Sequence, residues 1–504
     1  MTLRGLLRGS LLYTLGNLLP RLGAFALLPI YTAAMAPAEF GIFSLMLSLS
    51  GLLAIGYRLG LDGALLRMHF DVEPRRRPSL YLTLAGVTLL AVIGMSVVLA
   101  AVAAPFFGLL VPGVDFVPFG LLALAITATT AFQYVPSSLF RATERPGRFL
   151  AFASAVFVIG TTATVVFLLV LDLGAVGGLL GQLAGGVAVV AATAAILVRF
   201  RGRPLDRQLA RGALAYGLPL VPHGMASWVL SLSDRWLIGL LIGLPALQAQ
   251  AAVGIYAFGY VVAQVVSLVA MSFNAAWIPF FFARGEGPRG PALLREMTSI
   301  SLGVLAVLAV GVAVLAPEIT DLLARQQWGD DALVAADVMM VVALAALLHG
   351  LYFMVVSTIF LRRRTRGLPL LTLLAGITNV IANVVLIPTI GIMGAAWATM
   401  LGYGCLAAAT WWYGARTYPI QLDLPRLAVL GVGVVAAVAT GRLIDPTDAG
   451  TLAAGMLHLA IVVAFAALAA FLMRGPVQRI RPLIAVGAED AAEVDTMLPP
   501  REDA

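Results

Sequence analysis

The chain has 504 residues, 61% of them hydrophobic and 11% charged, with a mean hydropathy of +0.99. That composition excludes a soluble globular domain and predicts an all-α polytopic membrane protein, because apolar runs of about 20 residues match the hydrocarbon thickness of a bilayer. The net charge of +7 comes from arginine with no lysine at all. A Walker A nucleotide site is therefore excluded, and the placement of the arginines matches membrane orientation rather than nucleic-acid binding.

About fourteen membrane helices are expected, over 10–34, 41–61, 79–103, 117–140, 149–171, 176–198, 214–243, 254–277, 298–322, 334–360, 368–387, 393–413, 427–443 and 450–473. Ala34-Met35-Ala36 resembles a signal-peptidase site, but Pro20 and Arg21 interrupt the apolar core before it, so the first run is read as a retained helix. Arg4 and Arg8 precede that run, and Arg67 and Arg75 to Arg77 follow the second. Arg141, Arg145 and Arg148 follow the fourth, and Arg199 to Arg211 hold the loop after the sixth. The same alternation continues through Arg284 to Arg295, Arg362 to Arg366, and Arg416 with Arg426. The opposite loops hold only Arg325 and Arg442. Positive charge resists translocation, so both termini are expected in the cytoplasm. The acidic stretch 474–504 reads as a disordered cytoplasmic tail.

Three pairs of short matches recur at nearly constant offset. They are Gly41-Ile42-Phe43 with Gly254-Ile255-Tyr256, Ala104-Pro105 with Ala316-Pro317, and Gly174-x-x-Gly177 with Gly391-x-x-Gly394. They predict a duplication, with a six-helix lobe over 1–205, a second over 206–415, and two appended helices over 416–473. Six is even, so the lobes are parallel repeats with a cleft expected between them.

Several stretches resemble one family. They are "LLPIYTAAMAPAEFGIFSL" (27–45), "YGLPLVPHGMASWVLSLSDRWLIG" (216–239), "GIYAFGY" (254–260) and, most specific, "NVIANVVLIPTIGIMGAAWATM" (379–400). They are similar to bacterial polysaccharide-export flippases, the O-antigen-flippase-like branch of the multidrug/oligosaccharidyl-lipid/polysaccharide exporter superfamily. The resemblance implies a flippase without enzymatic activity or cofactor. It would move an undecaprenyl-diphosphate-linked oligosaccharide between leaflets by alternating access through a cationic cavity, for surface polysaccharide assembly. Membrane lipid and glycan-assembly machinery are the implied partners, in a bacterial cytoplasmic membrane, and H+, Na+ and the membrane potential all stay open as the driving force. The motif of the related lipid II flippases is absent from the first helix, where Leu22 follows Arg21 and no acid adjoins it.

Arg21, Arg58 and Arg235 lie inside apolar runs, where an arginine costs about 2.5–3.5 kcal/mol or more and needs a wet cleft or a partner. Arg21 and Asp234 stand at equivalent depths on the first helix of each half. Arg21 is read as a diphosphate clamp, with Asp234 competing for it when the cleft is empty, or else the two form a structural ion pair. Arg58 and Asp62, four apart, are expected to share one helix face as a headgroup entry site or as an interfacial pair. Arg235 is a candidate cavity lining. Asn379 and Asn383 either meet sugar hydroxyls or staple helices together, and the structural role is favoured. Pro219 and Pro222, flanking His223, predict a break that is either a hinge or a static kink. His349 either titrates in a proton-coupled cycle or is a core residue, the latter being commoner. No metal-binding spacing is present. Two other functions compete: a drug/cation antiporter of the same superfamily, and a membrane-embedded glycan polymerase or ligase.

Overall fold

The computed structural model describes residues 3–444 and 451–497, with side chains described except at 3–11, 21, 103, 110, 451 and 481–497. The described residues are helical or in connecting turns, without strands. Twelve helices among them are long and apolar enough to cross a membrane. The two expected spans outside that set open the two halves. Leu3–Ala26 carries Pro20 and Arg21. The second is divided into Arg207–Gly217, Leu218–Leu220, Val221–Leu232 and Asp234–Leu241. Polar residues and breaks lower the apolarity of the helices where the sequence placed its candidate site.

The chain forms two compact units. The first comprises 1–261, 321–334 and 380–395, and the second comprises 262–320, 335–379 and 396–504.

In the first unit, the Pro37–Arg58 helix runs beside the second half's opening helices. Trp228 Nε1 donates to the Ser48 carbonyl at 2.9 Å, and Ser48 Oγ donates to that of Leu232 at 3.1 Å. Repeat-related glycines then bring backbones together. A Cβ on Gly41 would lie 2.0 Å from the Gln250 carbonyl oxygen, and one on Gly254 would lie 1.9 Å from that of Pro37. Only residues without side chains permit that approach. The other repeat matches are also structural. Gly174 and Gly391 both take positive φ, +50° and +61°. A Cβ on Gly177 would meet the Phe167 oxygen at 2.9 Å, and one on Gly394 would meet that of Leu386 at 2.5 Å.

In the second unit the two appended helices have a defined seat. Leu302, Val310 and Val314 of the Gly290–Val314 helix pack with Leu430, Val434, Phe465 and Ala469. The last helix runs from Thr451 to Met497, so the disordered tail expected from residue 474 is corrected over 474–497. Its acidic residues misled the compositional reading, because the local anchor is a distant partner. Glu296 is 1% exposed and accepts two bonds from Arg479, each 2.9 Å, and others from Arg295. Ile480, next to Arg479, is buried.

Candidate functional site

The Asp234–Leu241 and Ala246–Arg284 helices place adjacent residues of one on successive turns of the other. Asp234 is 0% exposed. Tyr256 Oη donates to its Oδ2 at 2.7 Å, and Asn383 Nδ2 donates to its Oδ1 at 2.9 Å. One turn beyond Tyr256, Tyr260 presents its ring to the Arg235 guanidinium, 4.8 Å from the ring centroid. The two tyrosine rings are 5.8 Å apart. A buried carboxylate is tolerable only when its lone pairs are met by donors, and Tyr256 and Asn383 supply two neutral ones.

Arg235 is 5% exposed, its Nη1 is buried without a hydrogen-bond partner, and it makes no ion pair among the described residues. Adjacent residues of a helix point about 100° apart, yet Asp234 and Arg235 are not sent to different places. Both reach the same tyrosine-bearing helix. The donor on Arg235 is the feature of this cluster best suited to an anion, because guanidinium N–H groups strongly favour charged acceptors.

Asn383 is thus joined to Asp234, in keeping with a helix-stapling role. Asn379, one turn earlier, is also 0% exposed. Arg21 lies in the Leu3–Ala26 helix, but its side chain lies outside the described residues, as does any pairing with Asp234.

The expectation that Arg58 and Asp62 share a helix face is corrected. The helix stops at Arg58, Leu59 and Gly60 take left-handed φ of 50° and 69°, and a new helix begins at Leu61. The i,i+4 geometry requires an unbroken helix, and no ion pair joins the two among the described residues. Arg58 Nη2 instead donates to the Thr130 carbonyl at 3.1 Å, leaving Nε buried without a partner. Asp62 is exposed.

That break faces another. A Cβ on Gly60 would lie 2.2 Å from the Gly217 oxygen, and one on Gly217 would lie 2.4 Å from that of Leu59. Gly217 ends its helix just before Pro219, and Pro222 stands in the first turn of the next. The predicted interruption at Pro219, Pro222 and His223 is therefore present, with His223 exposed and its carbonyl accepting from Ser227 Oγ at 3.0 Å. Its counterpart at Leu59–Gly60 went unread in the sequence, although Gly60 was its visible signal.

His349 lies in the second unit, packed against Tyr403 with ring centroids 4.4 Å apart and planes 4° from parallel, and against Phe353 at 4.4 Å. Its Nδ1 is buried without a partner. His458 bridges elements, with Nδ1 2.5 Å from Glu318 Oε1 and Nε2 3.0 Å from the Gly441 oxygen. Sequence reasoning missed the roles of Tyr256 and Tyr260, although their four-residue spacing within GIYAFGY put them on one face. It also missed the buried His69, whose Nδ1 lies 2.5 Å from the Tyr81 hydroxyl.

A family model described as "Polysaccharide biosynthesis protein" matches residues 6–283. Among solved structures, the chain is similar to the lipid II flippase MurJ in an inward closed conformation. The TM-score is 0.71 at 12% identity, covering 94% of this chain and 100% of that one. It is also similar to an inward-facing multidrug resistance MATE family transporter of the MOP superfamily, with a TM-score of 0.55 at 15% identity, covering 81% of this chain and 94% of that one. The Vibrio cholerae MATE transporter VcmN gives a TM-score of 0.55 at 16% identity, covering 82% of this chain and 96% of that one. No curated protein matches the sequence. At these identities the likeness establishes a shared fold.

Proposed function

The chain belongs to the polysaccharide biosynthesis protein family, and from that premise we propose that it is a flippase for an undecaprenyl-diphosphate-linked oligosaccharide, working by alternating access. The observation that carries this reading is Arg235. It is a buried guanidinium with an unpartnered donor, and it stands beside a carboxylate already bonded to Tyr256 and Asn383. Such a group favours an anionic substrate over a cationic drug, and a diphosphate offers the acceptors it lacks. Arg58 supplies a second buried donor, and Arg21 is assigned the same duty by its depth in the sequence. The paired breaks at Leu59–Gly60 and Gly217–Leu220 are the points about which the helices would bend.

The test is movement of a fluorescent undecaprenyl-diphosphate oligosaccharide in proteoliposomes, read by an impermeant quencher under imposed H+ or Na+ gradients. Arg235→Ala is expected to weaken transport tenfold or more, because a hydrogen bond to a charged group contributes about 1.5–3 kcal/mol. Wild-type rates in Arg235→Ala, Arg58→Ala and Arg21→Ala alike would end the anion-clamp reading. Movement of cationic dyes with none of the lipid would replace the flippase by an antiporter.

A further inference from the structure

Residues 321–334 belong to the first unit, although the chain on either side of them belongs to the second. The segment is a succession of short turns, Asp321–Arg325, Gln326–Trp328 and Gly329–Leu333, reversing at Gly329 with φ +66°. Arg325 ties it internally, bonding Asp321 at 2.9 Å and Asp330 at 3.3 Å. Its attachment to the rest of the first unit is of another kind. Trp328 is 5% exposed and its Nε1 donates to the Met35 carbonyl at 2.8 Å. Its ring lies 5.8 Å from that of Phe40 and 5.5 Å from that of Phe258. Thr32 Oγ1 donates to the Leu323 carbonyl.

Phe40 adjoins Gly41, and Phe258 is one turn beyond Gly254. One indole therefore touches both repeat-related helices beside the place where their backbones meet. Gln250 Nε2, from the second of those helices, also donates to the Pro112 carbonyl at 3.0 Å. The loops gathered here, 104–116 and 321–334, are those poor in arginine.

We propose that residues 321–334 form a strap, with Trp328 as its latch, that holds the two repeat-related helices together at the arginine-poor end and undocks in every transport cycle. This rests on the transporter reading above. Backbone contact at Gly41 and Gly254 closes the gap between those helices at that point, so passage of substrate between them there requires their separation. The strap suits a reversible closure: its one arginine is paired within the segment, and one indole supplies aromatic contact and a hydrogen bond that come apart without separating an ion pair.

The experiment starts from Cys405→Ala, which removes the chain's one cysteine. Thr32→Cys and Leu323→Cys are added and bridged by a short bis-methanethiosulfonate reagent. Bridging is expected to abolish flipping of the fluorescent lipid-linked oligosaccharide, and reductant to restore it. Full transport by completely bridged protein would overturn the strap while leaving the flippase reading intact.

A second arm needs no substrate. A single cysteine at Gln250 is labelled by an impermeant maleimide in empty proteoliposomes. Trp328→Ala is expected to raise its labelling about tenfold, through loss of both ring contacts and the hydrogen bond, with Trp328→Phe between it and the native residue. Unchanged labelling in both variants would overturn the latch whatever the substrate proves to be. Should Trp328→Ala fail to fold, Trp328→Phe and the bridged pair decide.

Discussion

Gly41 and Gly254, which open the matching triplets Gly41-Ile42-Phe43 and Gly254-Ile255-Tyr256, each pack against the other's helix. The offset between them is matched by the offset between the carbonyls they approach, those of Gln250 and Pro37. Each glycine's Cβ would also lie 3.0 Å from the other glycine's nitrogen. The contact is therefore reciprocal, each glycine making the same approach to the other's helix.

Gly41→Ala and Gly254→Ala should destabilise the protein by similar amounts, about 1–3 kcal/mol or more, because the obstructing atoms are backbone. Thermal unfolding in detergent measures this. The double variant should lose less than the two singles together, since the first substitution already separates the helices. Unequal single effects would argue against the symmetry.

Tyr256→Phe removes a donor from the buried Asp234 carboxylate. The expected cost is about 1–3 kcal/mol. Asn383→Ala should cost a similar amount, and the two should couple in a double-mutant cycle because they serve the same carboxylate. Additive effects would mean that the bonds are independent of each other.

The paired helix breaks predict different outcomes for glycine and proline. Gly60→Ala places a side chain at φ +69° and 2.2 Å from the Gly217 oxygen, and should cost roughly 2 kcal/mol or more. Pro222→Ala should leave the break in place, because Gly217 and Gly60 remain in contact. If the break is a hinge, Pro222→Ala slows transport while unfolding is almost unchanged. Native transport rates would make it a static kink.

Removal of residues from 474 onward should destabilise the second unit, because it takes Arg479 from the buried Glu296. Breaking a fully buried pair costs about 3–5 kcal/mol, but Arg479 is 45% exposed, so about 1–3 kcal/mol is expected. Arg479→Ala in the full chain should reproduce much of the loss. A neutral truncation would return residues 474–480 to the role of a tail.

Asp206 supplies the pH dependence. Its carboxylate caps the Arg207–Gly217 helix, and its pKa is lowered first by the Leu209 backbone amide and then by Arg76. A depressed carboxylate pKa gives stability that is present above the unfolded value, about 4, and lost as pH falls through the lower folded value. Asp206→Asn should therefore lower stability at neutral pH, where the charged carboxylate contributes, and flatten its further loss below about pH 4. Unaltered acid sensitivity in the variant would assign the effect elsewhere.

Composition alone determined that this is a helical membrane protein, since so apolar a chain has no other way to satisfy its backbone. The four glycines of the expected repeat were also legible as structural positions, because Gly41, Gly254, Gly174 and Gly391 stand where a backbone approach or a left-handed turn admits little else. So was the break at Pro219 and Pro222, which follows from a missing amide hydrogen. Tertiary structure decided what depends on partners far away in the chain. Asp234 stood out as a charge in an apolar run, yet nothing local linked it to Asn383, 149 residues on. Arg58 and Asp62 were paired by helical spacing until Leu59 and Gly60 turned left-handed beside Gly217. The acidic stretch after 473 read as a tail until Glu296 received Arg479, 183 residues away. Periodicity and composition report the preferences of neighbouring residues, whereas a buried charge takes its role from whichever donors the folded chain brings within hydrogen-bond reach.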